Sequence, residues 1–451
     1  MILRRFAAVA VVLAGLLAPP AARAQVFEPK TFELANGLQV LVVENRRAPI
    51  VTQMVWYKTG AADEVQGVSG IAHFLEHLMF KGTTNLAPGE FNRIVARYGG
   101  RDNAFTGHDY TAYFQTVSRD RLDSMMRIEA DRMANLTLAE PEVLTERDVI
   151  VEERRQVVEQ RPSSRMREQI AAAIFANHPY GRPIIGWEHE IKALTRKDAL
   201  DWYARWYAPN NALLVVAGDV SAEEVRAMAE RHYGPIPRKA VPERVRPQEP
   251  PAVAVRRVEL KDPRVRQPSW SRAWLAPSHA RGLPGVLGPE MSDALDLAAE
   301  IIGEGPNSAL ARALVHDRPL ATGAAAAYDA ANLDLATFWV FASPRDGVEL
   351  SALEAAIEET LARIVRDGVT AEDVERAKRR ALDQAVFARD GAGTAARAFG
   401  VAFATGKDAA WVESWPQRIA AVTVDQVNAA LRAILRQEGH TTGILLPRPG
   451  S

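Results

Sequence analysis

Six prolines fall between positions 235 and 251, at Pro235, Pro237, Pro242, Pro247, Pro250 and Pro251. Each fixes φ and lacks an amide donor, so this stretch can form neither a helix interior nor a central strand. It reads as an extended linker over 235–252 that separates an N-terminal half, 25–234, from a C-terminal half, 253–451. Each half is long enough to enclose a core of its own, whereas the whole chain of 451 residues is too long for a single one. Hydrophobic residues make up 47% and charged residues 25%, the composition of a folded protein, which excludes wholesale disorder. The 55 basic and 56 acidic side chains leave a net charge of -1, which argues against a nucleic-acid-coating surface. No cysteine is present. That excludes disulfide scaffolds, thiolate zinc sites, cysteine nucleophiles and iron–sulfur clusters.

Residues 1–24 read as an export signal. Arg4 and Arg5 give a positive start, Phe6 to Ala18 is uncharged and apolar, and Ala22-Arg23-Ala24 has the small-x-small pattern of a cleavage site. Such a run is short for a bilayer crossing, and no later stretch is comparably apolar. The chain is therefore expected to start at Gln25 after export. Its Ala- and Arg-rich style suggests a bacterium, and with it a periplasmic or secreted location without a stable membrane span.

Both halves mix strands with amphipathic helices. In the first, 38–43, 52–57 and 213–218 read as strands and 102–117 as a hairpin. Helical periodicity occupies about 68–81, 88–98, 119–134, 141–160, 163–177, 195–207 and 221–232. In the second, 272–275 and 337–342 read as strands, and 289–303, 306–315, 349–366, 370–388 and 424–436 as helices. The repeated order of strands, a helix and a long helical stretch suggests an internal duplication.

The sequence His73-Phe74-Leu75-Glu76-His77 carries the chemistry. On a helix capped by Ser69 and ended by Gly82, Ile71, Phe74, Leu75, Leu78 and Met79 form one buried stripe. His73 and His77 then lie one turn apart on another face, the spacing at which two imidazoles share a zinc ion. Glu76 sits within reach of a zinc-polarised water without being obliged to bind the metal, which is the arrangement of a general base in metal-assisted hydrolysis. The order is H-x-x-E-H, the inverse of the commoner H-E-x-x-H motif. With cysteine absent, a third ligand must be His, Asp or Glu. The helix at 141–160 offers Glu142, Glu146, Glu152, Glu153 and Glu159. Glu146 and Glu153 share a face, so one could ligate and the other support the site by hydrogen bonding. By spacing alone, Glu152 is nearly as good a ligand as Glu153.

HFLEHLMFKGT at 73–83 resembles the zinc signature of the pitrilysin and insulinase family of metallopeptidases, which includes the mitochondrial processing peptidase. GGRDNAFTGHDYTAYF at 99–114, ERDVIVEE at 146–153, HPYGRPIIGWEHEI at 178–191, RWYAPNNALLVVAGDV at 205–220 and GPIP at 234–237 extend the resemblance across the N-terminal half. It implies His73, His77 and Glu153 as the ligands of one zinc ion, Glu76 as general base and Glu146 as a supporting carboxylate. Asn103 and Ala104 would lie on an edge strand that pairs with an extended peptide substrate. The fold implied is α+β: two homologous domains, each an antiparallel sheet packed with helices, facing each other around a chamber.

The C-terminal half departs from the family pattern. Members that complete the site alone carry an arginine after a glycine-rich loop and a tyrosine seven residues later. Gly303 and Gly305 survive from the loop, but Val315 stands where the arginine would fall and Thr322 where the tyrosine would. Loss of that pair weakens substrate docking and stabilisation of the carbonyl in the transition state. The economical expectation is a zinc endopeptidase paired with a related zinc-free subunit that supplies both groups, or else a homodimer. A non-catalytic scaffold or peptide-binding member is the alternative. The intact His73, Glu76 and His77 argue against it, just as the extended-strand motif argues against a hydrolase of another class.

Overall fold

The structure is a computed structural model that describes residues 26–388 and 391–448; the expected export signal at 1–24 and its cleavage point lie outside the described residues. The first half runs β1 (Lys30–Glu33), β2 (Gln39–Glu44), β3 (Ile50–Tyr57), α1 (Ile71–Leu78), α2 (Glu90–Arg97), β4 (Arg101–Thr106), β5 (Thr111–Ser118), α3 (Leu122–Asn135), α4 (Glu140–Arg154), α5 (Pro162–Ile174), α6 (Glu188–Ile191), α7 (Arg196–Trp206), β6 (Ala212–Gly218) and α8 (Ala222–His232). The second runs β7 (Arg256–Asp262), β8 (Ser269–Ala276), α9 (Ser292–Gly303), α10 (Ala309–Ala311), β9 (Ala321–Tyr328), β10 (Ala336–Pro344), α11 (Leu350–Asp367), α12 (Ala371–Ala388), α13 (Ala392–Ala404), α14 (Ala409–Glu413), α15 (Trp415–Ala421), α16 (Val424–Leu435) and β11 (Thr441–Pro447).

The α+β class and the duplication follow directly from the strand orders, β1-β2-β6-β3-β5-β4 in one sheet and β7-β11-β8-β10-β9 in the other. Without β1 the two are superposable in order and direction. The sheets are mixed rather than antiparallel, which corrects the expectation. β2 pairs with β6 in parallel, as β7 does with β11, and the other pairs are antiparallel. The last strand of each half returns after a long helical excursion, a crossover that permits parallel pairing. β6, ALLVVAG, is wholly buried between two neighbours, as an unbroken apolar run requires. Two expected helices are also corrected. The stretch at 306–315 becomes the single turn of α10 followed by a π-helical segment over Arg312–Asp317, and 141–160 passes from α4 into a π-helical segment over Arg155–Glu159.

Each sheet packs most of its own half's helices on one face. The other face is covered in part by a helix from the opposite half. Ala395, Ala396, Phe399 and Ala402 of α13 pack on Met54, Trp56, Leu213 and Val215 of the first sheet. Met166, Ile170 and Ile174 of α5 pack on Ala273, Leu275 and Leu445 of the second. Both contacts need a glycine. A Cβ on Gly400 of α13 would lie 1.9 Å from Trp56 Cε2, and one on Gly443 of β11 would lie 2.2 Å from Ile170 Cδ1.

No helix or strand lies between His232 and Arg256, as the prolines require. Yet this stretch is bolted down rather than free. Arg246 donates to Asp63 Oδ1 (2.6 Å) and Asp109 Oδ1 (2.7 Å), and Arg244 donates to the carbonyl of Ala404 at the end of α13 (2.8 Å). The Glu249 carboxylate accepts the amides of Ala176, Asn177 and His178. The Tyr180 hydroxyl donates to Asp109 Oδ2 (2.5 Å), which also accepts the amide of Leu333 (3.0 Å). The tip of the β4–β5 hairpin, the connecting stretch and the second half are thus joined by one buried polar network.

The two glycine contacts differ in how far the neighbour can yield. Gly400→Ala drives a methyl into the fully buried Trp56 ring and is expected to cost about 1–3 kcal/mol of stability in chemical denaturation. Gly443→Ala meets the Ile170 side chain, at Cδ1 and Cγ1, and the Ser271 hydroxyl, which can turn aside more readily than an indole, and is expected to cost less.

Candidate metal centre

The histidine motif forms α1, shorter than the expected 68–81. Ile71, Phe74, Leu75, Leu78 and Met79 are all buried as their spacing demands. Ser69 does not cap the helix, which corrects the expectation. The N-cap residue is Gly70, in the left-handed region at φ 87, and the carboxylate of Glu64 accepts the amides of Gly70 and Ala72, each at 3.0 Å. Burial pushes the Glu64 carboxyl up to about 8 against the pull of those two donors. Ser69 serves another contact. Its hydroxyl accepts the Trp187 amide (2.9 Å), and its own amide donates to Glu190 Oε2 (2.6 Å). A Cβ on Gly70 would lie 2.6 Å from the carbonyl of Ile185, and one on Gly186 would lie 2.5 Å from that of Ser69. The segment 183–190 is therefore the seat of the helix start. At the other end α1 stops at Leu78, before Gly82, and the chain turns with Phe80 N donating to His77 O and Lys81 N to Leu78 O.

His73 and His77 lie side by side, ring centroids 4.7 Å apart. Helix α4 brings Glu153 to them. Glu153 Oε2 is 3.4 Å from His77 Nε2 and 3.8 Å from His73 Nε2, and one ligand atom from each of the three residues lies within 4.8 Å of the others. Glu152 is not part of the cluster; it is exposed and accepts from Gln156 Nε2 at 3.0 Å. Glu159 pairs with Arg154. Glu146, two turns before Glu153, pairs through Oε1 with His77 Nδ1 (2.8 Å) and through Oε2 with Lys81 Nζ (2.5 Å).

This donor set fits zinc. Bonds of about 2.0–2.1 Å to a tetrahedral ion put ligand atoms roughly 3.3–3.4 Å apart, near the separations found. Glu153 Oε2 is buried and has no hydrogen-bond partner, an arrangement that is costly unless a cation completes it. Burial, with the neighbouring His77 charge, pushes the His73 imidazole down to about 4, which leaves its lone pair free for a metal. Burial opposes a charge on His77, but its bond to Glu146 and the nearby Glu153 carboxylate outweigh this and raise it to about 9. Among the described residues one other group has comparable spacing, His279 with Asp293 and Asp296 in the second half. There Arg418 Nε stands 3.0 Å from Asp293 Oδ2 and already supplies a cation.

Glu76 is buried beside the cluster. Its Oε2 accepts from the hydroxyl of Thr106 on β4 (2.5 Å), and burial pushes the carboxyl up to about 7 against that bond. β4 is the edge of its sheet. Asn103 and Ala104 sit on it opposite Phe114 and Tyr113, and Asn103 Oδ1 accepts the Ala104 amide at 2.9 Å. The buried Tyr113 hydroxyl pairs with that of Tyr207 (2.8 Å), a packing role. In the second half Val315 is half-buried in the π-helical segment, and Thr322 is exposed on β9. Of the arginines and the tyrosine nearest in sequence, Arg318 pairs with Glu359 and the Tyr328 hydroxyl with the carbonyl of Pro277, while Arg312 is exposed. Sequence reasoning did not single out Glu64, Lys81 or Thr106. Lys81 is four residues after His77 and Thr106 two after Ala104, so periodicity offered a signal for both. Glu64 lies in irregular chain and offered none.

Residues 39–188 match the family model described as insulinase (peptidase family M16), and residues 193–381 match that of the peptidase M16 inactive domain. "Zinc protease PqqE" of Helicobacter pylori is 32% identical over 369 residues, which cover 79% of each chain. Among solved structures, a protease from Helicobacter pylori has a TM-score of 0.85 at 28% identity, covering 93% of this chain and all of its own. An M16-like peptidase from Alicyclobacillus acidocaldarius has a TM-score of 0.81 at 25% identity, covering 94% of this chain and 99% of its own.

Glu64 caps the helix from a distance, so its loss is expected to act on stability. Glu64→Ala leaves two amides at the start of α1 without partners and should cost about 1–2 kcal/mol in urea denaturation. Faster hydrogen exchange at Gly70 and Ala72 should accompany it, and Glu64→Gln, which keeps one acceptor, should cost less.

Proposed function

Because the chain belongs to the insulinase family of peptidases, family M16, we propose that it is a zinc-dependent endopeptidase that cleaves peptides or unfolded segments laid along the edge of β4. The observation that carries this reading is the convergence of His73, His77 and Glu153 around one point, with Glu76 buried next to it. Those three residues would hold one zinc ion, which when bound supplies Lewis acidity to a water molecule and to the scissile carbonyl. Thr106 engages Oε2 of Glu76, so Oε1 is the oxygen that takes a proton from the attacking water and returns it to the leaving nitrogen. A carboxyl held near neutrality by burial suits both transfers. Glu146 fixes the His77 ring through Nδ1 and so directs Nε2 toward the ion.

The substrate backbone would add a strand to β4, reading main chain rather than side chains. Asn103 and Ala104 lie where that pairing begins, and the incoming strand would exchange the local bond from Asn103 Oδ1 to the Ala104 amide for one of its own. Val315 and Thr322 favour a division of labour in which a related zinc-free subunit contributes an arginine and a tyrosine, or a second copy of this chain completes the assembly. A non-catalytic scaffold or peptide-binding role is the second reading, favoured by those same two positions and opposed by the complete metal-side set. Residues 1–24 support export to the periplasm. No described helix is long and apolar enough to cross a membrane.

Metal analysis combined with a quenched-peptide assay tests the reading. Glu76→Gln should retain zinc and lose turnover by at least about a hundredfold, and His77→Ala should lose both. Wild-type turnover in Glu76→Gln would refute the mechanism. Glu153→Gln should lower the zinc content and Glu152→Gln should not. Full activity of the purified chain, with no gain from any homologous partner, would count against divided labour.

A further inference from the structure

The contact chain behind His77 extends one residue further than the proposed mechanism uses. Glu146 is buried, yet it bonds through both oxygens: Oε1 lies 2.8 Å from His77 Nδ1, and Oε2 lies 2.5 Å from Lys81 Nζ. A carboxylate can rotate about its last torsion, so a single bond to the imidazole does not fix its plane. A second bond from a cation on the other oxygen does. Lys81 is four residues after His77, on the turn that follows α1. The metal-facing histidine and the cation that orients its partner are therefore set by one short piece of backbone.

We propose that Lys81 is a positioning residue for the metal centre: its ammonium clamps Glu146 so that the carboxylate holds the His77 ring with Nε2 toward the ion. The proposal rests on the zinc reading above and adds a residue to it. It also makes a prediction opposite in sign to simple electrostatics. A cation close to a divalent ion repels it, so a Lys81 acting only through its field would weaken zinc binding, and its removal would tighten it. A Lys81 acting through Glu146 strengthens binding, and its removal loosens it.

The test is a double-mutant cycle on the zinc dissociation constant, measured by chelator competition with the full chain and requiring no turnover. Lys81→Met should weaken zinc binding roughly tenfold, at the low end of the 10- to 100-fold range for partners of metal ligands. In a Glu146→Gln background the same substitution should change the constant less than about twofold, because the residue through which it acts is gone. Lys81→Arg should restore most of the affinity. Lys81 is a quarter exposed, so the fold should tolerate these changes; if Lys81→Met does not fold, Lys81→Ala serves the same comparison. Unchanged or tighter binding in the single variant, or additive effects in the double, would overturn the proposal while leaving the zinc reading intact. Failure of the wild-type chain to retain zinc would instead overturn the zinc reading, and this proposal with it.

Discussion

An eight-residue helix carries both imidazoles and the buried carboxylate of the candidate centre, and a helix that short is marginal by itself in water. Its position is set by what grips its ends. Glu64 accepts the two amides at its start, and the Ser69–Trp187–Glu190 bonds press the 183–190 segment against it at a glycine–glycine contact. The apolar stripe from Ile71 to Met79 does the rest, seating the helix on the core. If any of these gave way, His73 and His77 would shift against Glu153, because α4 has a further anchor on α5. Here Arg154, next in sequence to Glu153, is buried and bonded to Glu168 and the carbonyl of Gly186. Gly186 thus touches the start of one helix of the candidate centre and the end of the other.

Charge is arranged around the centre in alternating sign: Lys81, Glu146, His77, Glu153. Each link is a contact between partly buried groups, where pairing matters more than on the open surface. Glu76 lies outside the chain and is tied instead to Thr106 of the edge strand. The proposed general base and the proposed substrate-pairing strand are therefore mechanically joined, while the candidate metal ligands are joined to the helical layer.

Much of this was legible in the sequence, for identifiable reasons. The periodicity of Ile71, Phe74, Leu75, Leu78 and Met79 located α1 because core burial repeats with the helix turn. The seven-residue interval placed Glu146 and Glu153 on one face of α4, but interval alone could not separate Glu153 from Glu152. The separation comes from where α4 docks, a tertiary fact. The cap is not legible locally because the sequence-local candidate, Ser69, is used in a contact 118 residues away in the chain, while the acceptor comes from irregular chain. Strand direction was invisible because alternation carries no polarity, so the parallel pairs β2–β6 and β7–β11 appear only in the structure. β9, Ala321 to Tyr328, has too few branched or aromatic residues to signal a strand and is one because β10 pairs with it. α13 gives a weak helix signal because Gly393 and Gly400 lower its helix propensity; the structure shows that Gly400 is what allows the Trp56 contact.

The exchange of α5 and α13 between the halves has a consequence for biogenesis. As the chain leaves the ribosome, the first sheet has all its strands once residue 218 has emerged, yet part of its apolar face stays bare until α13 follows nearly two hundred residues later. α5 waits longer still, since its bed includes β11, the last strand. Neither half can finish alone, so a stalled or truncated chain would present a sticky, chaperone-binding face rather than a stable fragment.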